Sequence, residues 1–169
     1  MRQILPHPLP DQALLARYRA DSGYTDCFIT EVPFSVSHAD YVEAFYTSWL
    51  FKLERVVLTL LVAKPSSDAK ARELARGERE DFAAWSVEAR APDQLLVCDY
   101  QGKTRSWLMV ETGPAGTRLY FGTGIVPITG RQTGQRHMSL LFRALLPFHK
   151  VYARALLRAA RARLATGRR

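Results

Sequence analysis

A chain of 169 residues, 47% hydrophobic and 24% charged, has the length of one compact domain and enough apolar material for a core, which excludes a disordered chain. The net charge of +8 is unevenly placed. Residues 131–169 hold ten Lys or Arg and no Asp or Glu, whereas residues 1–130 hold fourteen basic and sixteen acidic residues, and this asymmetry is the clearest compositional signal.

From the N-terminus, "MRQILPHPLPDQALL" carries one early arginine, three prolines and no sustained apolar run, so it is not read as a signal peptide. Residues 1–23 are expected to form a tether, 24–164 the core and 165–169 a basic tail of a single domain. "CFITEVP" reads as a short strand. Its Cys27 and the later Cys98 are far apart, with no C-x-x-C spacing and no Cys/His cluster, so neither a zinc site nor a disulfide framework is indicated and no metal or cofactor is expected. Both cysteines sit in strand-like runs, where free cysteine packs as a small apolar residue, and a reduced cytoplasmic setting fits them best.

The next stretch, "YVEAFYTSWLFKLERVVLTLLVAKP", is greasy and ends in proline. A membrane span needs roughly 20 apolar residues in a row. Glu43, Lys52, Glu54 and Arg55 interrupt this one, and Val56 to Ala63 would extend only about 12 Å as helix. Val42, Phe45, Tyr46, Trp49, Leu50, Leu53, Val56, Val57, Leu60 and Leu61 fall on one broad helical face. The pattern predicts a helix, or two with a bend, packed on something large and apolar. Ser37 and Asp40 resemble a capping box at its start, and Lys64-Pro65 stops it, because proline disfavours helical geometry in the residue before it. "SSDAKARELARGEREDF" reads as a polar surface helix anchored by Leu74 and ending near Gly77.

Four strand-like runs follow: "FAAWSVEAR", "DQLLVCDY", "TRSWLMVET" and "TRLYFGTGIVP". The breaks at Pro92-Asp93, Gln101-Gly102 and "GPAG" have turn composition and suggest an antiparallel meander. Leu95, Val97, Leu108 and Val110 can share one face, and Leu96, Cys98, Trp107 and Met109 the other. Apolar residues on both faces predict a sheet covered on both sides, by helices on one and by a partner subunit on the other, so self-association is expected. The glycines of "GTGIVP" are read as allowing the last strand to bend. "ITGRQTGQRH" is a polar loop. In the last helix Met138, Leu141, Leu145, Phe148, Tyr152, Leu156 and Ala159 line one side, with Arg143, Lys150, Arg154 and Arg161 nearly opposite. Pro147 is expected to kink it or to start a second helix.

Strand, helices, antiparallel strands and a long terminal helix, in that order, resemble the helix-grip architecture of START-like and Bet v 1-like proteins, also grouped as SRPBCC. "YTDCF", "GTGIVP" and "PFHKVYARALLRAA" are similar to words of a bacterial domain-of-unknown-function family, family 2867, over roughly Tyr24 to Leu164. The resemblance implies an α+β fold in which a curved antiparallel sheet of about five to seven strands grips the C-terminal helix over an apolar cavity. It implies a ligand-binding habit and no reaction.

The candidate site residues are His149, Arg105, Trp107, Tyr152 and Trp49. His149, at the edge of the apolar face of the last helix, is either a pocket histidine that bonds a ligand or transfers protons, or a tie between helix and sheet. Arg105 can hold a ligand carboxylate or phosphate through its fork of donors, or pair with Asp99 or Glu111 across neighbouring strands. Trp49, Trp85, Trp107, Tyr100, Tyr120 and Tyr152 can line a cavity or fill a core. No nucleophile elbow, zinc-protease helix or phosphate loop is present. The basic face of Arg143, Lys150, Arg154 and Arg161 is a solvated surface or a contact for anionic lipid; nucleic acid is not favoured, because no aromatic residues are interleaved for stacking. Three functions follow as expectations: binding of a small apolar ligand or lipid under the last helix; an enzyme of cyclase, isomerase or hydrolase type using His149, with Asp99, Glu111 or Tyr152 assisting; or an interaction protein using the basic helix.

Overall fold

Apolar runs joined by turns of a few residues can pair only as antiparallel neighbours, and the chain does so. The computed structural model describes residues 3–19, 24–62, 65–126, 128–129, 136–137 and 140–167. Its strands are β1 (Leu5–Pro6), β2 (Tyr24–Val32), β3 (Asp81–Phe82), β4 (Trp85–Ala91), β5 (Gln94–Asp99), β6 (Thr104–Gly113) and β7 (Gly116–Ile125). They form one seven-stranded sheet in the order β1-β2-β7-β6-β5-β4-β3, with every pair antiparallel. A small separate pair joins β8 (Ile128–Thr129) to β9 (Arg136–His137) within the stretch read as a polar loop. The helices are α1 (His38–Tyr46), α2 (Trp49–Val62), α3 (Asp68–Arg76) and α4 (Leu140–Thr166). β1 and β3 are two residues long, too short to show an alternation, which is why the sequence displays fewer strands than the sheet contains.

The inner face of the sheet follows the period of two. Phe28, Leu95, Val97, Leu108, Val110, Leu119 and Phe121 pack in one core with Tyr41, Val42, Phe45 and Tyr46 of α1, Leu74 of α3 and Ala153, Leu156, Leu157 and Ala160 of α4. Local signals hold the helices in place. The Ser37 hydroxyl accepts from the Asp40 amide at 3.0 Å and caps α1. Ser67 caps α3, which ends on Gly77 at φ 77°, a conformation costly for any residue with a Cβ. α4 runs through Pro147 without a second helix beginning there.

The outer face differs from expectation: the chain's own N-terminal segment covers it. A short 3-10 helix, Leu14–Tyr18, places the fully buried Leu15 with Ala13 against Cys27, Leu96, Trp107, Met109 and Tyr120. Gln94, itself buried, ties this layer down: its Oε1 accepts from Leu14 N at 2.9 Å and Trp107 Nε1 at 2.8 Å, and its Nε2 donates to Gln12 O at 3.2 Å. Gly122 and Gly124 serve close approach. A Cβ on Gly122 would lie 2.9 Å from Trp107 and 3.0 Å from Leu15, and one on Gly124 would lie 2.8 Å from Leu15.

The long apolar stretch also departs from its expected packing. α1 buries its apolar face, but Trp49, Leu53, Val56, Val57 and Leu60 of α2 are exposed. On α4, Phe148, placed on the core side by periodicity, is exposed too. Met138 lies outside the described residues, as do the side chains of Leu61, Leu141, Arg143 and Leu145. No helix among the described residues is long and apolar enough to cross a membrane.

Candidate functional site

Register gives the inner face two different ends. One cross-strand row reads Leu95, Leu108, Phe121, Phe28. The next inward-facing row reads Val97, Ser106, Thr123, Asp26, and the one beyond it brings Trp85 beside Asp99. The sheet thus turns from apolar to polar along its length, and a cavity of about 290 Å³ lies over the junction. Its walls are apolar: Phe45, Phe51, Trp85, Phe121, Ala153 and Leu156. Glu54, Asp99, Ser106, Thr123, His149 and Tyr152 supply its polar groups, and the exposed Tyr100 stands at its rim.

Two pairs organise those polar groups. Tyr152 of α4 donates to Glu54 Oε2 of α2 at 2.5 Å. Burial pushes the Glu54 carboxyl above its ordinary value, and the hydrogen bond from Tyr152 offsets part of that rise. Burial also raises the Tyr152 phenol, with the charge of Glu54 adding to the effect. In the second pair, His149 Nε2 lies 3.3 Å from Asp26 Oδ2, within ion-pair distance. Asp26 is fixed from two further sides, since Tyr24 OH donates to it at 2.9 Å and the Thr123 amide at 3.0 Å. Tyr24 packs edge-on to the imidazole, with centroids 6.1 Å apart, and its phenol is raised by burial and then by the Asp26 charge. The Trp85 indole Nε1 is buried without a hydrogen-bond partner among the described residues.

The five residues singled out in the sequence separate. His149 and Tyr152, one turn apart on α4, both line the cavity. Arg105 touches its edge, but its guanidinium belongs to the outer face: Nε donates to Glu88 at 2.8 Å and to Tyr18 OH at 3.0 Å, and the group lies over the Tyr18 ring. The Asp99 or Glu111 pairing expected for Arg105 is replaced by Glu88. Asp99 faces inward and caps the β5–β6 turn through the Lys103 and Thr104 amides, while Glu111 accepts from Arg118 and Tyr120. Trp107 is fully buried in the outer layer, away from the cavity, and Trp49 is exposed on α2. Sequence reasoning missed Glu54 as a pocket group, because among the charged residues of that run nothing marks the one that the fold turns inward. It also missed Asp26, whose signal was its place two residues before Phe28 on an inward-facing strand register.

Of the basic face, Lys150 and Arg154 are exposed, with Arg154 over the Phe28 ring at 5.1 Å. Arg161 turns to the sheet and donates to Thr30 Oγ1 at 3.0 Å. Among the described residues no group of three His, Cys, Asp or Glu side chains is placed to hold a metal ion.

These features define an α+β protein with a seven-stranded antiparallel sheet, a C-terminal helix over it and a largely apolar cavity between them. No family model and no curated protein matches the chain. Among solved structures it is similar to CalU16 from Micromonospora echinospora, at 12% identity over 96% of this chain and 92% of that one, with a TM-score of 0.33.

Proposed function

We propose that the chain is a helix-grip protein of the kind its sequence resembles, family 2867 included, and that it binds a small, largely apolar ligand between sheet and α4. One observation carries this reading: aromatic and aliphatic walls line a half-open cavity of about 290 Å³ at a place where polar groups converge on it from α2, α4 and the sheet. Binding sites are commonly apolar clefts of roughly 300–1,000 Å³ with a few polar groups that orient the ligand. Glu54–Tyr152 and His149–Asp26 would orient it here. Native mass spectrometry and solvent extraction of the purified protein test the idea, together with titration by the neutral probe N-phenyl-1-naphthylamine. The expected result is a co-purified apolar molecule, or probe binding that Ala153→Leu weakens by filling the cavity. Empty preparations and probe binding insensitive to that substitution would overturn it.

A second reading is favoured by a specific contact. His149 lines the cavity and meets a carboxylate fixed by two further groups, Tyr24 and the Thr123 amide, the arrangement a proton-transfer base needs. As an enzyme of isomerase or cyclase type, the chain would abstract a proton beside the carbonyl of a bound compound. Incubating small apolar ketones with the protein in D2O and recovering them for mass spectrometry tests this. Deuterium uptake abolished by His149→Asn supports the reading; uptake no faster than in buffer removes it.

A further inference from the structure

α2 packs Phe51 into the core but also presents an apolar face outward. Trp49, Leu53, Val56, Val57 and Leu60 lie within an arc of about 100° on the helix and are between 45% and 78% exposed. The opposite side carries its charges inward. Glu54 receives the Tyr152 hydroxyl, and Arg55 donates to Asp68 at 2.6 Å and to Ser66 O at 2.7 Å while lying over the Phe82 ring. The exposed stripe continues onto α4. Tyr152, bonded to Glu54, stacks on Phe148, which is 68% exposed, and Val151 beside it is 65% exposed. Seven large apolar side chains on two linked helices far exceed the scattered apolar residues of an ordinary surface.

On the α4 side the charges that flank this patch are of one sign, whereas on the α2 side Lys52 and Arg55 are paired with Asp68. Lys150, Arg154 and Arg158 are exposed on the same side of α4 as Val151, and the sequence from 131 onward holds no Asp or Glu. An apolar stripe with a tryptophan at its end, flanked by cations, matches a helix lying in the plane of a lipid interface. Among the described residues neither helix is long and apolar enough to cross the bilayer. A second copy fits less well, because a two-fold contact on this face brings two cationic strips together without a carboxylate on α4 to neutralise them.

We infer that the α2 face, with Phe148 and Val151, docks on an anionic bilayer surface, its side chains at the boundary of headgroups and acyl chains and Lys150, Arg154 and Arg158 on the surrounding phosphates. The inference is independent of what fills the cavity. The test is sedimentation of the full chain with phosphatidylcholine vesicles, with and without 30% phosphatidylserine. Binding should be more than about tenfold tighter with the anionic lipid and should fall as salt rises. Trp49 emission should shift to the blue and be quenched by acyl-brominated lipid, a readout that needs no variant, with Trp49→Phe removing that component. Leu53→Ser with Leu60→Ser, and separately the change of Lys150, Arg154 and Arg158 to Gln, should each abolish sedimentation. Equal binding to both vesicles, no binding to either, or a dimer in light scattering that the Leu53/Leu60 variant dissociates would overturn the inference, the last by showing that a second copy covers the face.

Discussion

Glu54 shows how one residue carries both cost and use. Its carboxylate sits among Phe51, Tyr152 and other cavity side chains, and burial raises its proton affinity in the folded state. The sign of the linkage follows: a carboxyl raised by folding opposes stability above its unfolded value, near pH 4.3, increasingly so as pH climbs through the raised folded value, and costs nothing below both. Glu54→Gln, which keeps an acceptor for Tyr152, should therefore raise the melting temperature at pH 8 and leave it unchanged at pH 4. Thermal melts across that range check it, and an equal shift at both ends would mean that packing, not charge, explains the change. The two cysteines separate in the same way. Cys27 is buried in the outer layer and its thiol is pushed up to about 12, mainly by burial, whereas Cys98 is only partly buried. An aromatic disulfide reagent at pH 8 should label Cys98 in the native state and Cys27 only on unfolding. The cysteines' strand positions were legible in the sequence. The pocket role of Glu54 was not, because whether a carboxylate faces solvent or a void depends on which side of α2 the fold turns inward.

Among elements, the sheet was the most readable. The alternation at Leu95, Val97, Leu108 and Val110 against Leu96, Trp107 and Met109 sorts them onto the two faces that the structure shows. α3 was equally readable, since its cap, its Leu74 anchor and its terminal glycine are all local signals. The cover of the outer face was not, because "DQALLARY" is a short segment without periodicity whose placement rests on Gln94, far along the chain. The role of Gly122 and Gly124 follows from that cover: they form the floor on which Leu15 sits. Leu15→Ala should cost about 2–5 kcal/mol of stability, as for other fully buried leucines. Gly122→Val should cost about 1–3 kcal/mol or more by displacing the same helix, since its new Cβ would also approach the Asp26 carbonyl at 2.9 Å. Denaturant melts give both numbers, and amide exchange at residues 13–18 should accelerate in each. Exchange unchanged in Gly122→Val would show that the segment is held without this seat.

At the scale of the whole molecule, apolar side chains left facing an open cleft have a definite cost, because they forgo the contacts a packed core would give them. The cavity here sits where the sheet changes from apolar to polar, beneath the two helices whose outer faces carry the exposed apolar stripe. Packing for stability alone would place a larger side chain at Ala153, which lines the cleft from α4 and is itself buried. Ala153→Leu should raise the stability of the ligand-free chain by about 0.5–2 kcal/mol, the usual gain from filling a cavity. If the proposed binding holds, it should at the same time remove any increase in melting temperature that a bound apolar molecule gives the parent chain, because a ligand stabilises only the state it can enter. Paired thermal melts of parent and variant, each before and after solvent extraction, separate the two effects. A variant less stable than the extracted parent would show that the space beside Ala153 is already filled by packing, and the binding reading would lose its physical basis.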